Sequence, residues 1–295
     1  PLGGAALEVE GMRWRLFKDR AATVLLWTFM ALAILILLGI IAFLTERGWK
    51  ALSWEFLTQP PTDSMTKGGI ATPIVGTLQL VAVSMAFAFP VGVATAIYLV
   101  EYARETAFTQ ALRLAVRCLA GVPSVVYGLF GLSLFVISLK FGPCLLSAGL
   151  TLGCLALPLI VGASEAALTT VPQDYRDASF ALGATRWQTI RRVVLPAAFP
   201  SILTGVILSV GRVAGETAPI IFTGAAFYAP RYATSLFMEV MALPYHVYIL
   251  ATAGTHISET RGIQYGTVLA LLMLVLGVTL VGVIWRARIR MRALR

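Results

Sequence analysis

Residues 171–196 read VPQDYRDASFALGATRWQTIRRVVLP, a polar stretch set between two apolar runs. Pro172 suits the first position of a helix, Asp174 its first turn, and Gly183 a left-handed stop just past its end. Thr185 and Gln188 have the spacing of a capping box for a second helix, which carries Arg191 and Arg192 and is expected to end before Pro196. On the first helix Tyr175, Ala178, Ser179 and Leu182 fall at i, i+3, i+4 and i+7, one small-residue face. The stretch predicts helix, glycine, helix: a knob that docks into a groove.

What flanks the knob reads as membrane. Of 295 residues, 58% are hydrophobic and 13% charged, far more apolar than the half-apolar, quarter-charged mix of soluble domains. A bilayer core of about 30 Å needs roughly 20 apolar residues of helix. Six runs meet that length: Val24 to Leu44, Gly68 to Val100, Cys118 to Leu139, Phe141 to Ser164, Val193 to about Ala225, and Gly262 to Trp285. No cleavage pattern precedes the first, and it is longer than a signal core, so it counts as a span. The fold class is therefore an all-α integral membrane protein with six transmembrane helices. The expected organisation is a cytoplasmic segment (1–23), a first helix with its outer loop (24–67), a core (68–286) containing the polar loop 169–196, and a basic tail (287–295).

Lys and Arg set the orientation, because cytoplasmic loops accumulate them. The N-terminal tail, the 101–117 and 165–192 loops and the C-terminal tail hold sixteen cations, against six on the other side, so both termini face the cytoplasm. The net charge of +9 has this topological origin; the basic residues are spread over span ends, show no RNA- or DNA-binding motif, and imply no nucleic-acid partner. The uncharged stretch Val240 to Ser258 is read as an interfacial or re-entrant piece on the outer side, since a seventh span would put the Arg-rich tail outside. It carries His246 and His256, read as ordinary interfacial residues rather than ligands. Cys118, Cys144 and Cys154 fall at an inner end, an outer end and mid-span, with no obvious disulfide and no metal spacing.

The polar loop then becomes specific. Asp177-Ala178-Ser179, three residues, Gly183, nine residues, Val193, one residue and Leu195-Pro196 resembles the coupling-loop motif of ABC importer permeases: Glu-Ala-Ala, three residues, Gly, nine residues, Ile, one residue, Leu-Pro. The spacing matches; Asp, Ser and Val depart mildly. GGIATPIVGTLQL (68–80), GVPSVVYGLFGLSLFV (121–136) and ILTGVILSVGRVAGETAPIIFTG (202–224) are similar to phosphate-importer permeases, the GETAP version to their A-type subunit. The resemblance implies a bacterial cell inner-membrane complex of two permease subunits set in the lipid bilayer, commonly A-type with C-type, together with two copies of an ABC ATPase and an extracytoplasmic phosphate-binding protein. It implies ATPase coupling at Asp177, Ala178, Ser179, Gly183, Leu195 and Pro196. The chain has no Gly-x-x-x-x-Gly-Lys-Ser/Thr phosphate loop, so ATP-Mg belongs to the partner ATPase, no cofactor is expected here, and the chain is not the enzyme. Many relatives carry an Arg where this chain has Gly162; Glu165 beside it reads as a solvated span-end charge.

Within the fifth run stand Arg212 and Glu216. A mid-membrane charge costs about 3 kcal/mol on insertion scales, so such residues face a cavity or one another. Four apart on a helix, they share a face. Two readings stand: a buried pair that packs subunits, helped by Gly211 and Gly215 at GxxxG spacing, or a substrate pathway of Arg212, Glu216 and Thr217. In the second, the planar guanidinium meets oxyanion oxygens while Glu216 holds it, limits affinity and favours an anion that still carries a proton. Pro219 is expected to free the Gly215 carbonyl beside the site. Another oxyanion, molybdate or sulfate, is the alternative substrate. A channel or ion-driven carrier is more remote, because Glu216 is the single acidic residue deep in a span.

Overall fold

The computed structural model describes residues 2–65, 67–252 and 257–293. α1 (Leu2–Gly48) stands at the edge, its apolar positions from Val24 to Leu38 largely open to lipid. It touches the body near its outer end, where Phe43 meets Tyr265 edge-to-face at 5.9 Å. A small outer cap follows: α2 (Trp54–Thr58), N-capped by Ser53, and a two-residue antiparallel pair, β1 (Pro61–Thr62) and β2 (Lys67–Gly68). The second span is accordingly shorter at its outer end than the hydropathy suggests, since Gly68 belongs to the cap and α3 runs Ala71–Ile97. α3 continues into a π turn, Tyr98–Tyr102.

The third span departs from expectation. Cys118 to Leu139 is not one helix: α4 (Ala107–Ala120) and α5 (Ser124–Gly131), which continues as a π turn to Ser138, meet at 104°. Gly121 ends α4, and Pro123 forces extended backbone before α5 begins. The expected 101–117 loop is thus largely helix α4, capped by Thr106, whose hydroxyl accepts from Thr109 N–H.

α6 (Leu145–Thr169) is the central post. α3 lies along it at small residues: a Cβ on Gly92 would meet Ile160, one on Gly149 would meet Val83, and one on Gly153 would meet Phe87. Leu80, Ala88, Leu152, Ala156 and Ile160 fill the shared core. The orphan amides at the outer end of α6 are satisfied by the loop 225–242, Leu145 N–H bonding Met238 O and Leu146 N–H bonding Leu236 O, both at 2.8 Å. α9 (Leu195–Gly215) packs on the other flank of α6, where Gly205 faces Ala163. Against it runs α12 (Ile257–Ala293), with Arg286 donating to Thr204 Oγ1 at 3.0 Å. The basic tail is the continuation of α12 to Ala293.

The stretch read as interfacial or re-entrant forms α11 (Leu243–Thr252), ten residues and too short to cross. Its start is fixed to α3 by Leu243 N–H donating to Thr77 Oγ1 at 2.9 Å. His246 is 2% exposed and its Nδ1 finds no partner; His256 lies outside the described residues. Burial alone lowers the His246 pKa to about 4. The unfolded chain binds a proton there near pH 6.5 and the folded one does not, so stability present above pH 6.5 falls as pH drops toward 4, by a limit on the order of 3 kcal/mol. Thermal melts of the detergent-solubilised protein between pH 7.5 and 4.5 are expected to show that loss, and His246→Leu to flatten it.

Candidate functional site

The polar loop folds as helix, glycine, helix. α7 (Gln173–Ala181) ends at Leu182, and Gly183 takes φ +80°, the left-handed stop. Gly183 N–H bonds Phe180 O and Ala184 N–H bonds Ser179 O, satisfying the last carbonyls. α8 (Arg186–Thr189) opens with the capping box: Thr185 Oγ1 accepts from Gln188 N–H, and Gln188 Oε1 accepts from Thr185 N–H at 2.8 Å. Ser179 Oγ lies 2.9 Å from Thr189 Oγ1 and closes α7 onto α8.

The second helix does not end before Pro196. A π turn, Ile190–Val194, joins α8 to α9, so Arg186 to Gly215 is one helical run. Leu195 N–H reaches five residues back to Ile190 O, and this wider turn relieves the proline of the amide it lacks. The expected small-residue face also differs: Ser179 turns inward, whereas Tyr175, Phe180, Leu182 and Trp187 stand exposed around Asp177 and Ala178.

Two buried charges hold α7, and neither stands out in the sequence. Arg176 donates from Nη2 to Glu101 at 2.7 Å and to Leu168 O at 3.0 Å, and from Nη1 to Val171 O at 2.8 Å. Its side chain is 10% exposed and that of Glu101 8%. Inspection of the sequence leaves Glu101 as one more charge at a span end; only the 75-residue contact reveals its partner. Glu165 likewise is no free surface charge, since Arg113 Nε lies 2.7 Å from it. At Gly162 a Cβ would meet nothing within 4 Å, so the position is open.

At the outer end of α9 the helix breaks. Glu216 leaves it with φ −73° and ψ 134°, and α10 (Ala218–Thr223) restarts with Thr217 ahead of it. Arg212 and Glu216 therefore do not share a continuous helical face, yet Arg212 Nε reaches Glu216 Oε1 at 3.4 Å. Pro219 is the second residue of α10, where no amide is missed, so its lack of an N–H is not what ends α9. Arg212 is 42% exposed and Glu216 16%. Tyr127, Phe130 and Cys154 line an apolar cavity of about 470 Å³. The break and the loop are the two ends of one rod, Arg212 lying about 25 Å of helix rise beyond Leu195.

Residues 88–294 match the model of the binding-protein-dependent transport system inner membrane component. The chain belongs to that family. Among the relatives is the phosphate transport system permease protein PstA 1 of Mycobacterium tuberculosis, 35% identical over 276 residues, 90% of this chain and 88% of the relative. The probable ABC transporter permease protein YqgI of Bacillus subtilis is 35% identical over 217 residues, 74% of each chain. Solved structures with the same fold include a bacterial alginate ABC transporter (TM-score 0.64, 18% identity, 95% of this chain and 98% of that one) and the MetNI methionine ABC transporter (0.59, 19%, 75% and 95%). This permease is accordingly a multi-pass inner-membrane protein of an ABC importer, which works with an ATPase and a substrate-binding protein.

In this permease a side chain at Gly183 would meet nothing within 4 Å, so the glycine is required by its backbone alone. Gly183→Val places a β-branched residue in the left-handed region at about 1–2 kcal/mol. Co-purification titrations are expected to show ATPase binding weakened roughly tenfold, with membrane insertion unchanged.

Proposed function

We propose that this permease is one of two membrane subunits of an ATP-driven importer of inorganic phosphate, and that its partner is a C-type permease. The observation that carries this reading is the Arg212–Glu216 pair, held at a helix break with the guanidinium left open. Relatives that cover most of the chain are phosphate transport permeases by name, which supports the same substrate. Two copies of the ATPase bind ATP-Mg, a phosphate-binding protein delivers the anion outside, and no cofactor resides in this chain.

Arg212 supplies a planar fork that matches two phosphate oxygens. Glu216 balances the guanidinium charge in the empty state and competes with the anion, so binding is weak enough for release. A phosphate that still carries a proton can donate to the Glu216 carboxylate, whereas sulfate has no proton to give. Thr217, half-buried ahead of α10, adds a hydroxyl to the same helix break. On the cytoplasmic side Asp177, Ala178 and Ser179 on α7 form the docking knob. Gly183 sets its angle, and Leu195-Pro196 passes its motion into α9.

ATP-driven uptake of labelled phosphate into vesicles holding the whole complex tests the reading, with sulfate and molybdate as competitors. Uptake is expected to ignore the competitors, to fall about a hundredfold in Arg212→Ala, and to stay impaired in Arg212→Lys, which keeps the charge but loses the fork. Competition by molybdate or sulfate would transfer the substrate to that anion. Full uptake without Arg212 would return the pair to a packing role.

A further inference from the structure

Three arginines from three different cytoplasmic helices converge on five residues. Arg113 of α4 donates from Nη2 to Leu99 O at 2.9 Å. Arg176 of α7 holds Glu101 through both Nε and Nη2. Arg186 of α8 lies over the Tyr102 ring, 5.1 Å from its centroid. All three targets belong to the π turn Tyr98–Tyr102 that ends α3.

The covalent routes from the loop lead back to α6, three residues before α7, and on to α9; neither leads to α3. α3 is separated from the loop by some seventy residues of chain, so a push on α7 reaches it directly through these side chains, beside the packing of α3 on α6 and α9. The Arg176 fork also takes the Leu168 and Val171 carbonyls at the inner end of α6. One side chain thereby clamps α3, α6 and α7. A buried, multiply bonded ion pair of this kind resists separation, because parting it would leave two desolvated charges without partners. Such a pair transmits displacement; an exposed pair would part and re-form in water.

We propose that Glu101 and Arg176 are the second output of the coupling loop: a side-chain joint that carries the motion of α7 into α3, while the helical run Arg186 to Gly215 carries it into α9. Arg113, bound to Leu99 O and to Glu165 of α6, extends the joint to α4 and so to the bent pair. Glu101 and Arg176 are positioning residues and touch no transported solute. The proposal rests on the permease being driven by an ATPase docked on α7; it is independent of which anion is carried.

The test is the whole complex in proteoliposomes, with uptake and ATP hydrolysis measured on the same sample and normalised to assembled complex. Glu101→Gln is expected to leave basal hydrolysis within about twofold of wild type, while uptake per ATP and stimulation by the binding protein fall about tenfold, the reach of a coupling residue. Glu101→Asp, which keeps the charge, is expected to recover part of both. Hydrolysis and uptake that fall together, or an unchanged ratio, would overturn the proposal in favour of a purely structural clamp. Should Glu101→Gln fail to assemble, Arg176→Lys keeps a cation for Glu101 but loses the fork that also takes the Leu168 and Val171 carbonyls. A ratio lowered about threefold there supports the joint, and an unaltered one refutes it. If wild-type complex takes up no phosphate yet is stimulated by its binding protein, the substrate reading fails and the joint is still read from the stimulation.

Discussion

Close backbone approach between α3 and α6 is the constraint from which the rest of this permease hangs. Lipid tails are as apolar as leucine, so helices gain no hydrophobic advantage by leaving them, and association rests on van der Waals contact. Gly92, Gly149 and Gly153 allow that contact by placing Ile160, Val83 and Phe87 where a Cβ would otherwise be. Gly205 against Ala163 repeats the device for α9 on the other flank of α6. With three helices so close, a displacement at one inner end cannot be absorbed by loose side chains. It either moves the neighbours or breaks the packing.

The loop exploits that stiffness. α8, its π turn and α9 form one rod, so the knob is built as the inner end of a transmembrane helix rather than tethered to it. Gly183 then separates two parts: beyond it runs the rod, and before it α7 leaves Tyr175, Phe180 and Asp177 exposed. Buried Arg176 fixes the orientation of α7 against the ends of α3 and α6.

The sequence makes legible what depends on neighbours along the chain. Hydropathy finds α1, α3, α6, α9 and α12, and Thr185, Gln188 and Gly183 disclose the loop's caps because capping is settled within four residues. Two things are hidden for physical reasons. The bend between α4 and α5 lies in an apolar stretch that hydropathy sums as one span, although Gly121 and Pro123 mark it locally. The Glu101–Arg176 pair is a contact across 75 residues, and neither charge differs in pattern from the other cations and carboxylates at span ends. Of the candidate site, Arg212 and Glu216 were visible as charges in lipid. The helix break between Glu216 and α10 was not, since GETAP contains nothing that forbids a helix before its proline.

That break alters what the Arg212–Glu216 pair can do. On an unbroken helix both side chains would lie on one face, equally open, and each would be the other's best partner. With Glu216 in extended backbone, its carboxylate is drawn in to 16% exposure while Arg212 stays at 42%. The acid is thus held by the protein and the base is offered outward, joined by one long contact of 3.4 Å rather than a bidentate fork. A bidentate pair would be satisfied and closed to an anion. The present one leaves most of the guanidinium's donors unspent while the pair as a whole remains neutral, which is how a cation can stand open within the membrane without the full penalty of an isolated charge.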